Sequence, residues 1–336
     1  MAETARRDQS SEAPDQILQL AMSFMAAKHL FVANAIGLFA QLAEGPSTLD
    51  DVAARVGLPR RTVRIVTDAM VALGLVERQG DQYQNTAVAA TYLSGKSPTD
   101  LRPLLRFWDR ISYVGWQHLE QAVRSGQAPT RHGGFSEEDQ QIFSQGVEAL
   151  TAGPAHALAS TYDFSRHRRV LDVGGGTGSF LVAVVRQYPD VQGTLFELPT
   201  VTPVAQRRLA GESLPRPIEV VSGDFFTDPL PSGQDAIIVA NVVHLFSPER
   251  NRELLRRIRQ ATDSGGRLLL VDFWTDPTHT QPLPAALLAG EFLVIAGEGD
   301  VYSQDELNGW LAETGWRRLE HRPLAGPASL VVAETA

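Results

Sequence analysis

Residues 170–186 read VLDVGGGTGSFLVAVVR. An apolar, β-branched run enters glycines at 174, 175, 176 and 178 and leaves as an apolar segment at helical spacing. The reading is strand, turn, helix, because glycine alone takes positive φ freely and lets a ligand approach the backbone. Downstream, GTLFEL, IEVVSG, DAIIVAN and RLLLVDF are further short β-branched runs with helical segments between them. That alternation predicts an α/β domain over residues 166–336 with a mainly parallel sheet covered on both faces. Open sheets of this kind bind ligands outside the carboxyl ends of their strands, and the glycine turn falls at such an end.

Glu197 closes the next strand, about 20 residues past the last glycine, where an acid meets ribose hydroxyls in nucleotide-binding folds. A nicotinamide dinucleotide calls for G-x-G-x-x-G. Counted from Gly174 and Gly176, the third glycine falls on Ser179, and the match fails. Asp172, two residues before the glycines, suits a cationic ligand better than a pyrophosphate. S-adenosylmethionine carries a sulfonium and an ammonium and no phosphate, so acids at Asp172 and Glu197 suit it. A third acid stands in Gly223-Asp224-Phe225-Phe226. There an aspartate would accept from an adenine amino group beside a stacking ring, and a turn or capping role for Asp224 is the alternative.

The amino-terminal half has a different grammar. Residues 1–15 are polar and read as a disordered tail. From Ile17 to about Leu42 apolar residues recur at helical spacing, until Gly45-Pro46-Ser47. Thr48 then caps a short helix carrying Leu49, Val52, Ala53 and Val56, and Gly57-Leu58-Pro59 turns the chain. A second helix through Val63, Val66, Met70 and Leu73 stops at Gly74, and Gly80-Asp81 joins two strand-like runs as a hairpin. Helix, turn, helix, hairpin is the winged-helix order, expected over residues 16–100. DNA binding does not follow from it. Between Asp50 and Asp81 five arginines (55, 60, 61, 64, 78) face five acids (50, 51, 68, 77, 81), which leaves no phosphate-neutralising footprint. Bridging helices are expected over 101–165, with a loop at Gly126–Asp139.

Composition narrows the classes. The 336 residues exceed what one core usually organises. A net charge of −9 argues against nucleic acid or an anionic membrane as the main partner. The absence of cysteine excludes disulfides and cysteine-ligated metals and fits a cytoplasmic location. The polar start holds no apolar signal-peptide core. Leu18 to Leu42, the most apolar stretch, contains Gln19, Ser23, Lys28, His29, Asn34 and Gln41. A bilayer penalises those groups, so a buried or dimer-forming helix is expected in place of a membrane span.

With these segments in place, the chain resembles the class I O-methyltransferases of the plant caffeate and bacterial polyketide-tailoring type, which include acetylserotonin methyltransferase-like proteins. LDVGGGTGSF, FELP, GDFF and GGRLLLVD fall in that family's order and spacing. The resemblance implies a winged-helix dimerisation domain joined to a Rossmann-like catalytic domain. It implies methyl transfer from S-adenosylmethionine, with S-adenosylhomocysteine as product and no metal, to a hydroxyl of a small aromatic secondary metabolite. It places the methionine moiety at Gly174, Gly176 and their neighbours, the ribose at Glu197, and the adenine at Asp224 and Phe225 beside Gly223. Asn241 is a further polar group for acceptor or cofactor.

Of the eight histidines, His244 stands apart by following the apolar strand DAIIVANVV. A histidine at this point in the resembled family deprotonates the acceptor hydroxyl. Imidazole titrates near ~6.5 and a phenol near ~10, so proton transfer must be concerted with methyl attack or helped by the site. The family reads His-Asp-Trp where this chain has His244-Leu245-Phe246, and plant members place a lysine where it has Ala240. The family also orients the histidine with a glutamate in a Gly-x-Glu-Arg-Thr context. The stretch here is Gly297-Glu-Gly-Asp-Val-Tyr-Ser303, with Val301 at the aligned position. Glu298 or Asp300 would have to substitute, or the orienting acid is missing. His244 as a pocket wall, a carbon or nitrogen acceptor, and a changed reaction on a retained cofactor stay open. A non-catalytic binding or regulatory protein is the more distant alternative.

The acceptor is expected between the domains, against Trp108, Phe143, Val147, Phe273, Trp274, Phe292, Leu293 and Ile295, each of which reads equally well as plain core. Helices near 17–42 and 101–120 are the expected homodimer interface, being too apolar to stay exposed. No compact His/Asp/Glu cluster offers a metal site.

Overall fold

A computed structural model describes residues 14–97, 99–128 and 136–336. The polar tail to residue 13 and the middle of the Gly126–Asp139 loop lie outside the described residues. Two compact units divide at Asp109/Arg110.

In the first unit the apolar run at 17–42 is two helices, α1 (Asp15–Ala35) and α2 (Leu38–Leu42). Gly37, at φ +74°, takes a left-handed conformation that no helix continues through. Residues 15–25 of α1 are exposed on every face, Ile17 at 71% and Leu20 at 70%. After β1 (Ser47–Thr48), the Thr48 hydroxyl caps α3 (Leu49–Val56) by accepting from the Asp51 N–H. Helix α4 (Arg60–Ala72) ends at Gly74, φ +73°. The hairpin β2 (Val76–Gln79) and β3 (Gln82–Asn85) joins β1 in a three-stranded antiparallel sheet ordered β1-β3-β2. This is the winged helix that the sequence implies. Two further helices, α5 (Ala87–Tyr92) and α6 (Arg102–Phe107), complete the unit. The bridging segment is therefore divided: α6 lies in the first unit, and the remaining helices lie in the second.

The second unit begins with α7 (Tyr113–Trp116), α8 (Leu119–Ser125) and α9 (Glu137–Thr161). Ser136 and Asp139 form a reciprocal capping box, so α9 starts inside the stretch read as loop. Then β4 (Arg169–Val173), α10 (Ser179–Gln187), β5 (Gln192–Glu197), α11 (Thr202–Ala210), β6 (Glu219–Ser222) and β7 (Gln234–Ala240) alternate. After them come α12 (Pro248–Ala261), β8 (Thr262–Asp272), α13 (Leu283–Ile295), α14 (Gln304–Glu313), β9 (Trp316–Pro323) and β10 (Ser329–Thr335). The sheet order is β6-β5-β4-β7-β8-β10-β9, parallel from β6 to β8, with β10 antiparallel to both its neighbours. Val170, Leu195 and Ile238 enter one apolar cluster, Leu171, Phe196 and Ile237 the other, so both faces are covered. The strand order reverses between β4 and β7, which opens the crevice where such sheets hold ligands.

Candidate active site

The turn leaving β4 has positive φ at Gly174, Gly176 and Gly178. Glu197, buried at the end of β5, anchors it: Oε2 accepts from the Gly176 N–H at 2.8 Å and Oε1 from the Leu198 N–H at 2.7 Å. Burial pushes this carboxyl up, against the pull of its two backbone donors. No atom lies within 4 Å of where a Cβ on Gly176 would project, so the loop leaves open space on that side.

Asp172 is fully buried, and neither of its carboxyl oxygens has a hydrogen-bond partner. Burial, and after it the Glu197 carboxylate, pushes it up to about 8. An orphaned acid behind a glycine turn fits a cationic ligand and disfavours a phosphate, so these residues fit S-adenosylmethionine. Because the folded chain holds this proton more tightly than the unfolded one, stability should fall as pH rises from about 4 to about 8 and then level off. Asp172→Asn removes the titration. Its thermal midpoint relative to wild type should climb across that window; parallel curves would mean that the carboxyl is hydrated.

On the next strand, a Cβ on Gly223 would come 2.5 Å from the Phe196 ring, so packing accounts for that glycine. Asp224 forms a turn: Oδ1 accepts from the Phe226 N–H at 2.8 Å, while among the described residues no hydrogen bond engages Oδ2. Phe225 is buried edge-on to Phe226 and Phe246, and it lies beside Gly174 together with Val242. Asn241, half-buried at φ +56°, follows β7, with its N–H donating to the Val271 carbonyl.

His244 sits on the short 3-10 turn Val243–Leu245 beyond β7, buried. Its Nδ1 lies 2.6 Å from Oδ1 of Asp272, the last residue of β8. The Phe273 N–H also donates to Oδ1, and the Val243 and His244 N–H groups donate to Oδ2. Asp272 thus accepts from every neighbour, so Nδ1 carries a ring proton, and in the neutral ring Nε2 is the acceptor. The acids around residue 300 are engaged elsewhere. Glu298 pairs with Arg250 at 3.3 Å, Asp300 accepts from the Val301 N–H, and Val301 is buried in the core. A Cβ on Gly299 would come 1.9 Å from the His244 carbonyl oxygen, so that loop packs directly on the histidine backbone.

Phe292 stacks on the His244 ring at 3.9 Å between centroids, and Phe273 lies at 5.6 Å. Trp274 is in the opposite apolar cluster with Val242, Tyr302 and Trp310. Ile295 and Leu293 pack with Leu119 and Ala122 of α8. Phe143 and Val147 are half-buried on α9, and Trp108 belongs to the first unit.

Three residues escaped the sequence reading. Asp272 had one signal, an acid at a strand end, which GGRLLLVD shows. Glu291 is buried on α13 and accepts from Ser112 Oγ and Trp116 Nε1, with burial pushing it up. Arg208 on α11 bonds to Thr177 and Ser179 of the glycine turn. Neither Glu291 nor Arg208 stands in a motif. Among the described residues no three potential metal ligands stand together.

Residues 116–317 match the family described as O-methyltransferase domain, and residues 18–95 match the O-methyltransferase dimerisation domain. The chain is 33% identical to the 3-hydroxy-5-methyl-1-naphthoate 3-O-methyltransferase of Streptomyces sahachiroi, over 94% of this chain and 93% of that one. It is 31% identical to the tetracenomycin polyketide synthesis 8-O-methyl transferase TcmO of Streptomyces glaucescens, over 95% and 96%. Human N-acetylserotonin methyltransferase in complex with SAM superposes with a TM-score of 0.88 at 27% identity, covering 99% of each chain. Likeness that runs through both units in this way leaves one assignment: the chain belongs to the S-adenosylmethionine-dependent O-methyltransferase family.

Proposed function

We propose that this O-methyltransferase acts on a hydroxyl of a small, flat aromatic metabolite, with His244 as general base and Asp272 holding its ring. The observation that carries this is the Nδ1–Asp272 contact at 2.6 Å, which aims Nε2 away from the carboxylate beside the glycine-turn crevice. Bound there, S-adenosylmethionine supplies a methyl carbon made electrophilic by its sulfonium. Nε2 accepts the hydroxyl proton, and its removal keeps pace with bond formation, since imidazole near ~6.5 is a weak base toward a phenol near ~10. Phe292 and Phe273 give the histidine apolar neighbours that exclude water and suit a flat ring. The named relatives are a naphthoate 3-O-methyltransferase, a tetracenomycin polyketide 8-O-methyl transferase and an N-acetylserotonin methyltransferase, and two of those names carry an aromatic ring system.

The test is incubation of the enzyme and labelled methyl donor with hydroxylated naphthoates, fused-ring polyketides and hydroxyindoles, read by mass spectrometry and fragmentation. Gain of one methyl on oxygen is expected. Transfer only to nitrogen or carbon would overturn the hydroxyl reading.

The same reading covers assembly and location. From Leu18 onward the exposed apolar α1 lies within the matched dimerisation domain, and a second copy of the chain is its proposed cover. By length and composition α1 would also pass for a membrane span. The polar groups along it favour a protein partner, in a cytoplasmic enzyme. Light scattering should show a dimer, and Ile17→Glu with Leu20→Glu should shift it to monomer. A wild-type monomer at working concentration would refute the assembly.

A further inference from the structure

We infer that Arg208 is a positioning residue for the methyl donor: from α11 its guanidinium holds the glycine turn in its binding conformation and ties it to α9. The argument starts from the turn's own freedom. Three of the five residues 174–178 are glycines at positive φ. Such a segment loses more conformational entropy on ordering than any other, and only the fraction already in the competent shape binds at full affinity. Something must therefore hold it.

Glu197 holds one point, the Gly176 N–H. Arg208 holds the next two residues that have side chains. Its Nη1 donates to the Thr177 carbonyl at 3.1 Å, to Thr177 Oγ1 at 2.8 Å and to Ser179 Oγ at 2.9 Å. Its Nη2 pairs with Glu148 of α9 at 2.8 Å, one residue from Val147, and Glu212 lies 3.9 Å from Nε. The Arg208 side chain is 21% exposed, which makes these contacts more than a surface pair.

The placement also runs against ordinary helix electrostatics. Ser179 opens α10, and Gly178 supplies no side-chain cap there. A cation at a helix amino terminus opposes the macrodipole, so helix stability alone would select an acid or a neutral cap. A guanidinium is selected instead by the turn's carbonyl and hydroxyls, with Glu148 and Glu212 offsetting its charge. The fork matters as well as the charge: Nη1 meets the turn while Nη2 meets Glu148, two fixed directions that a lysine's single ammonium does not offer together.

The inference rests on the glycine turn being the cofactor site, and the two are tested separately. Calorimetry with S-adenosylhomocysteine on the wild-type enzyme tests the site; no binding there would sink that reading and this one together. Given wild-type binding, Arg208→Ala should weaken it about tenfold or more and raise the KM for the methyl donor in step. Meanwhile kcat at saturating donor should fall less than about threefold. Arg208→Lys should recover only a minor part of the affinity, and Arg208→Gln, which keeps a planar donor, guards against a poorly folding alanine variant by falling between the two extremes. Glu148→Gln should stay within about threefold of wild type, because the bonds to the turn remain. Arg208 variants that bind like wild type would overturn the inference. So would a loss in kcat that matches the loss in affinity, or a Glu148→Gln effect as large as that of Arg208→Ala, which would assign the effect to α9 packing.

Discussion

His244→Ala should lower kcat by about 10²–10⁴-fold while the dissociation constant for S-adenosylhomocysteine stays within about twofold of wild type. The reason is local. His244 stacks on Phe292 and is bonded through Nδ1 to Asp272 at the end of β7 and β8, whereas the cofactor contacts proposed for Glu197 and the glycine turn lie at the ends of β5 and β4. Asp272→Asn should cost nearly as much, by a different route. With its carbonyl toward Nδ1, the amide NH₂ would face the Val243 and His244 N–H groups, donor against donor. Turned over, it would donate to Nδ1 and force the proton onto Nε2, the wrong tautomer for a base. Stopped-flow or steady-state rates with a working acceptor, beside calorimetry on the same preparations, decide the matter. Full turnover in either variant would remove His244 from the base role, and a parallel loss of cofactor binding would make it a structural wall.

Gly175→Ala should weaken cofactor binding by about tenfold to a hundredfold and leave the fold intact. A Cβ there would come 2.3 Å from Asp172 Oδ2 and 2.7 Å from Leu195 Cδ1. Asp172 is fully buried at the base of the turn, and Leu195 belongs to the core, so neither has room to retreat. The loop must move instead. Overpacking of this kind costs about 1–3 kcal/mol, and each ~1.4 kcal/mol is a decade of affinity. Gly309→Ala is the matched control, since no atom lies within 4 Å of its added methyl on α14. It should bind the cofactor normally and melt no lower than wild type. If Gly175→Ala bound like wild type, the turn would not be held between Asp172 and Leu195 as described.

Much of this molecule was legible in its residues, and the exceptions share one cause. The winged helix could be read because its signals are short-range: Thr48 caps the helix it precedes, and Gly74 ends the one it follows. The break at Gly37 was missed because a lone glycine inside an apolar helical pattern is common, and only backbone conformation shows it left-handed. The glycine turn and Glu197 could be read because the parallel register sets each strand's carboxyl end beside the next.

The partners of those groups belonged to tertiary structure. Ala240 pairs with Val271 in the sheet, which brings the ends of β7 and β8 together and sets Asp272 against a histidine 28 positions earlier. Arg208 reaches Thr177 across 31 positions in the same way. Local sequence thus determined which elements form and where a ligand would meet them. Strand register and helix packing decided which side chains face one another, because those contacts depend on the distance between elements in space and leave no periodic trace along the chain.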